Sequence, residues 1–136
     1  MRFTSLLVSS VAGIVTAASS GFSQQPPGFS FHYIDAERAA GKKLFDDRCA
    51  SCHASQKQAF GPSLNGVVGR KAGSVSGFPY TDALKNSGVV WTEENLLKWL
   101  ADPATFVPHA IMPHVAFSDP AERVYVVEYL KSLKAR

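Results

Sequence analysis

Cysteine is nearly absent from this chain: its 136 residues contain two, Cys49 and Cys52. A closed four-thiolate zinc site is thereby excluded, since structural zinc takes four protein ligands. Methionine is equally rare, and beyond the first residue Met112 alone carries a thioether. Long apolar runs are missing too, and the uncharged stretch Phe3 to Ala18 falls short of the ~20 residues that a membrane span needs. Basic clusters of the kind nucleic-acid binding requires do not occur, because Lys and Arg are scattered among Asp and Glu and the net charge is only +3. No internal repeat is visible, and no segment carries a good strand signal. What remains is one small domain of helices and loops, with a thin core of its own.

Against that background the run Cys49-Ala50-Ser51-Cys52-His53 stands out. C-x-x-C-H is the spacing at which two thiols can be joined covalently to one haem, each reaching a different vinyl group. His53, tethered through Cys52, then offers an imidazole nitrogen as the proximal axial ligand. Two other readings of the pair are weaker. Zinc would have to recruit two of His32, His109 and His114, without a finger-like spacing. A thioredoxin-like redox pair would need a βαβ context, whereas the flanks read as helix and glycine-rich loop.

The N-terminus has the outline of a secretory signal over residues 1–23. Arg2 precedes an uncharged run, and small residues follow, with cleavage after Ala17 or after Ser23 both compatible. An uncleaved anchor is the alternative. Export would take Arg2 away and would agree with covalent haem attachment, which resembles a process completed outside the bacterial cytoplasm. Residues 24–33, rich in Pro, Gly, Gln and Ser, read as a disordered leader, and residues 34–136 as the folded domain.

Within that domain Asp35 is expected to cap a helix running to about Arg48, which delivers Cys49. Gly41 inside it implies that another backbone approaches closely. Residues 54–76 are rich in Gly and Pro and read as a loop wrapped around something, the haem being the obvious candidate. Short helices are expected from Thr81 to Ser87, closed by Gly88, and from Thr92 to Ala101, stopped by Asp102-Pro103. The last helix has the clearest signals: Asp119 as cap, Pro120 at the first position, Glu122 three residues after the cap, and an apolar stripe of Val126, Val127, Leu130 and Leu133.

Met112 sits between prolines in the loop from Pro103 to Pro120, a stiff, non-helical setting that suits presentation of sulfur to a metal. An arbitrary methionine would be core filler. Beside C-x-x-C-H, the axial-ligand reading is preferred, because Met/His ligation is the usual cytochrome c arrangement.

From Gly41 to about Lys131 the chain resembles the class I c-type cytochromes of the mitochondrial and α-proteobacterial kind. The matching segments are Gly41 to Phe45, Cys49 to His53, Gly61 to Leu64, Gly69 to Lys71, Tyr80 to Ala83, Trp91, Asp102-Pro103, Met112 and Tyr129 to Lys131. The resemblance implies an all-α fold of about four to five short helices, with loops wrapped around one covalently bound haem c. It implies Cys49 and Cys52 as haem attachment points, with His53 and Met112 as the axial ligands of the iron. By position it also implies that the Pro62 carbonyl accepts from His53, that Arg70, Tyr80 and Trp91 hold the haem propionates, and that Gly41, Phe45 and Tyr129 join the first and last helices.

Three positions depart from the family pattern. Leu84 stands where an Asn is frequent, Trp99 replaces an inner-helix Tyr near the methionine sulfur, and Ala110 replaces a Thr. Fewer hydrogen bonds around the propionates and the Met112 sulfur are therefore expected, with an altered redox potential. His109 and His114 flank Met112 as alternative ligands should it leave, although exposed loop histidines without that role are the simpler reading.

The function implied is that of a soluble, monomeric one-electron carrier in the periplasm rather than an enzyme. Iron would cycle between Fe(III) and Fe(II), taking electrons from a quinol-cytochrome c reductase or a dehydrogenase and passing them to a terminal oxidase or reductase. Ala104, Thr105, Ile111 and Ser118 occupy positions that are often lysine in the mitochondrial family, so electrostatic steering should be weaker. A peroxidase-like enzyme would need an open sixth site and a distal acid or base, and no clear one is present. A structural disulfide between Cys49 and Cys52 would leave His53 unexplained.

Overall fold

A computed structural model describes residues 29–53, 60–113 and 116–134, with side chains from Tyr33 onward. The signal 1–23, the first half of the leader (24–28), the loop residues 54–59, and His114 lie outside the described residues. Among the described residues six helices follow one another, two of them single turns: α1 Phe29–Arg48, α2 Ala50–His53, α3 Asp82–Asn86, α4 Glu93–Ala101, α5 Pro103–Phe106 and α6 Pro120–Ser132. Among the described residues the extended pairing amounts to one isolated bridge, Lys71 with Val90. No described helix is long and apolar enough to cross a membrane.

Asp35 does not cap α1. The helix begins at Phe29, inside the stretch read as leader, because no proline or glycine stands between Phe29 and Asp35 to stop it. Asp35 pairs with Arg38 at 3.0 Å instead. The expected caps of α3 and α4 are in place: the side chains of Thr81 and Thr92 accept from Leu84 N and Asn95 N. Gly88 follows α3 with φ +69°, the left-handed conformation that glycine tolerates best. Asp102-Pro103 stops α4 but also starts α5, since the Asp102 side chain accepts from Thr105 N while Pro103 takes the first turn. Asp119 caps α6 by accepting from Ala121 N. Glu122 does not complete a capping box and reaches back to Arg48 at 3.3 Å.

The main helix-to-helix contact is α1 against α6. Gly41 makes it feasible: a Cβ there would overlap the Tyr125 carbonyl and lie 3.0 Å from Tyr129 Cβ. One turn later Phe45 and Tyr129 meet with ring centroids 5.1 Å apart. Val126, Val127 and Leu130 are buried below them, with Leu133 half-buried at the edge. The loop between α2 and α3 is tied back by Gly66 N to Leu133 O at 2.6 Å, and the loop before α6 by Phe117 N to Leu100 O at 2.9 Å. The core holds no buried charged residue among those described, and its side chains surround a cleft rather than closing on one another.

Candidate functional site

Arg48 ends α1, and the chain turns at once into α2. His53 N donates to Cys49 O at 2.9 Å and Cys52 N to the same oxygen at 3.1 Å, so both thiols and the imidazole sit on one tight turn. All three line a cleft of about 260 Å³ that opens to solvent. That is near the lower end of the ~300–1,000 Å³ usual for small-ligand pockets. The walls are mainly apolar: Leu84 from α3, Leu96, Trp99 and Leu100 from α4, Val126 and Leu130 from α6. Met112 lines the same cleft, brought there by the loop after α5.

The chemistry of the donors fits a covalently held haem. His53 Nδ1 lies 2.9 Å from the Pro62 carbonyl oxygen. A carbonyl only accepts, so Nδ1 carries the proton and the Nε2 lone pair is left for a metal. Burial holds the His53 imidazolium below its usual range, against the opposing pull of the Pro62 hydrogen bond, which favours the neutral ring that ligation requires. Burial also pushes the Cys49 thiol up to about 11, with Arg48 pulling the other way. A thiol kept neutral is a poor metal ligand and a poor partner in disulfide exchange, whereas a thioether would be at ease in this apolar setting. Among the described residues no three His, Cys, Asp or Glu side chains gather as a metal cluster.

Gly61 was not singled out for the site by its sequence position, yet it is shaped by it. A Cβ at Gly61 would stand 2.8 Å from both Cε1 and Nδ1 of His53. The signal that could have found it is its place just before Pro62, whose carbonyl must approach the ring.

The residues expected around the propionates also reach the cleft. Arg70 and Trp91 are joined through their backbones, with Trp91 N to Arg70 O at 2.9 Å and Gly69 N to Trp91 O at 2.9 Å. The Arg70 guanidinium spends Nη1 on Asn65 O at 2.9 Å and Nη2 on Ser63 O at 2.8 Å. A guanidinium has five N–H donors, so donors remain for a ligand carboxylate. Partial burial lowers the Arg70 pKa, and burial raises that of Tyr80 against a backbone hydrogen bond at Val75 and the charge of Arg70.

At the Met112 sulfur one hydrogen bond is present, with Trp99 Nε1 donating to Met112 Sδ at 2.9 Å. An indole N–H stands farther from its backbone than a threonine hydroxyl does, and it supplies the donor that Ala110 cannot. Leu84 contributes only an apolar wall. His109 is exposed and sits at φ +67° in the loop before Met112.

The family described as Cytochrome c matches residues 38–134. Cytochrome c of Euglena viridis is 43% identical over 102 residues, covering 74% of this chain and 98% of the relative. Cytochrome c2 iso-2 of Magnetospirillum molischianum is 46% identical over 88 residues, 63% of this chain and 91% of the relative. Among solved structures, cytochrome cH from Methylobacterium extorquens superposes with a TM-score of 0.66 at 44% identity, covering 70% of this chain and 97% of that one. With the C-x-x-C-H turn, the cleft and the helical fold already in view, the chain belongs to the cytochrome c family as a class I c-type cytochrome, an electron-transfer protein rather than an enzyme, whose cofactor is haem c held covalently through cysteine.

Proposed function

We propose that this protein is an exported, soluble one-electron carrier that shuttles between redox proteins of a respiratory-type chain in the periplasm. A quinol-cytochrome c reductase or a dehydrogenase is the donor, and a terminal oxidase or reductase the acceptor. Cys49 and Cys52 would hold the haem by thioether bonds, and His53 and Met112 would be its axial ligands. Arg70, Tyr80 and Trp91 would receive the propionates, and Trp99 would contact the ligand side of the pocket. The bound group supplies the Fe(III)/Fe(II) couple. The protein's part is to hold both ligands in either state and to exclude water with Leu84, Leu96, Leu100 and Val126.

The observation that carries this reading is that Cys49, Cys52, His53 and Met112 all line one apolar cleft, with His53 locked in the Nδ1–H tautomer by Pro62. Weak steering of the partner is supported by the surface, where Lys42 and Lys43 are matched by Asp46 and Asp47 at 2.5 and 2.8 Å. Such pairs leave little field beyond a Debye length.

The test is the absorption spectrum of the purified, exported protein in both oxidation states. A weak red band in the ferric state, marking sulfur-to-iron ligation, together with haem retained in denaturant, is expected. Loss of haem in denaturant would refute the thioether attachment, and absence of the red band would refute Met112 as ligand. N-terminal sequencing of the periplasmic fraction tests export, with a start after Ala17 or Ser23 expected.

A further inference from the structure

We propose that Asn65-Gly66 is a site of spontaneous covalent modification, latched by the end of α6, and that conversion of Asn65 to isoaspartate releases that end. Of the three asparagines in the chain, Asn65 alone precedes a glycine. Glycine has no Cβ, so its backbone nitrogen meets the least hindrance on the way to the preceding side-chain amide. The step is an intramolecular acyl transfer. Gly66 N gives up its proton to solvent and bonds to Asn65 Cγ, the Cγ–Nδ2 bond breaks, and Nδ2 takes up a proton and leaves as ammonia. Water then opens the cyclic imide at one carbonyl or the other, leaving aspartate or isoaspartate at position 65. No oxidant or reductant takes part.

The fold holds the reacting atoms apart in two ways. Val67 N donates to Leu64 O at 3.0 Å and closes a turn with Asn65 and Gly66 at its centre. Gly66 has φ +62° while φ of Asn65 is negative, the combination of a type II turn. Such a turn sets ψ of its second residue at about +120°. Ring closure needs Asn65 Cβ and Gly66 N eclipsed about the Cα–C bond, and that ψ rotates them apart. The second restraint is the nucleophile's own proton. Gly66 N donates to Leu133 O at 2.6 Å, and Leu133 is the C-cap of α6, held by one bond of its own from Leu133 N to Leu130 O at 3.1 Å. Helix ends open before helix centres, so the latch is set by fraying of the last turn of α6.

The two products act differently on what surrounds them. Asn65 O accepts from Arg70 Nη1 at 2.9 Å, and Asn65 N donates to Ser63 Oγ at 3.3 Å. Aspartate leaves the main chain as it was and adds a carboxylate close to a guanidinium that offsets it. Isoaspartate routes the main chain through Cβ and Cγ, which lengthens it by one atom between Asn65 Cα and Gly66 N. The carbonyl that Arg70 grips then belongs to a free carboxylate, and Gly66 N moves out of register with Leu133 O. The modification therefore works through chain geometry more than through charge.

The experiment ages the holoprotein in mildly alkaline buffer and follows position 65 by peptide mass mapping and isoaspartyl methyltransferase labelling. A variant lacking residues 133–136 and the variants Asn65→Gln and Asn65→Asp are aged beside it. Conversion is expected at Asn65 ahead of Asn86 and Asn95, and no labelling at position 65 in Asn65→Gln. Removing the latch should speed conversion by roughly two- to tenfold, the factor that one hydrogen bond is worth. No conversion at Asn65 in either the full chain or the shortened one overturns the site. Equal rates in the two, with circular dichroism showing the shortened chain folded, overturn the latch. Should the shortened chain fail to fold, hydrogen exchange of the Gly66 amide in the unsubstituted protein decides: slow exchange is expected, and free exchange overturns the latch. The isolated isoaspartyl form should unfold at a lower temperature than Asn65→Asp, whereas equal unfolding temperatures would overturn the release of α6.

Discussion

Gly61→Ala isolates the role of the His53 cradle. The backbone at Gly61 does not lie in the left-handed region, so alanine meets no local strain there, and the cost must come from the neighbours. Its Cβ would stand 2.8 Å from His53 Cε1 and Nδ1 and 3.2 Å from Cys52 O. Neither neighbour is the loose end of a flexible chain: the imidazole is held by Pro62 at 2.9 Å, and the oxygen belongs to α2. Overpacking of this kind costs about 1–3 kcal/mol. Weakening the Nδ1 hydrogen bond adds about 0.5–1.5 kcal/mol. For a domain of ~100 residues, a total of about 1.5–4.5 kcal/mol lowers Tm by ~6–36 °C. The assay is thermal unfolding of the holoprotein followed by far-ultraviolet circular dichroism and by haem absorption. Gly69→Ala is the control, since a Cβ there meets nothing within 4 Å and only its φ of +82° is unfavourable. A Gly61→Ala protein as stable as the unsubstituted one, with an unchanged His53 Nδ1 proton signal, would refute the cradle.

Other perturbations probe the frame around the site. Gly41→Ala should destabilise by about 1–3 kcal/mol in denaturant titration even though alanine is the better helix former, because the Tyr125 carbonyl of α6 occupies the space; an unchanged midpoint would mean that the α1–α6 crossing is looser than described. Asp102 accepts from Thr105 N at 3.1 Å and from Thr105 Oγ1 at 2.6 Å, and these bonds hold its carboxyl below the usual range. The contribution of its charge is therefore present above about pH 4 and is lost as pH falls through the lower folded value. Stability curves of the unsubstituted protein and Asp102→Asn should converge at acid pH, and a constant gap would exclude the charge. Arg48 pairs with Glu122 at 3.3 Å and lies 4.7 Å from the centre of the Phe117 ring. Both charged groups are partly exposed, so Glu122→Gln should cost no more than about 1 kcal/mol and less in high salt, while Arg48→Ala costs more by losing the ring contact as well. Equal losses in a double-mutant cycle would discount the ring.

Much of the site was legible because its signals are local. Thiol spacing points to Cys49 and Cys52, adjacency to His53, and a lone thioether between prolines to Met112, and all four line one cleft. Helix starts at Thr81, Thr92 and Asp119 were legible for the same reason, since a cap acts within three residues. Signals that depend on distant partners misled or were silent. The Asp35 start failed because an aspartate can pair with Arg38 as readily as it can cap. The second role of Asp102 was hidden because a stop signal and a start signal share the same two residues. Glu122 looked like half of a capping box until Arg48, far away in sequence, claimed it.

By itself the sequence determined the cofactor, the helical class and the close approach at Gly41, all of which follow from residue type and short spacing. Only the tertiary structure decided which groups meet across the cleft. It brought the Pro62 carbonyl that the family resemblance implied to 2.9 Å from His53 Nδ1, left room only for a hydrogen at Gly61 beside that ring, and set an indole N–H on the Met112 sulfur. Hydrogen-bond reach depends on where the backbones carrying donor and acceptor come to rest, and that is settled by the packing of α1, α4 and α6 around one cavity.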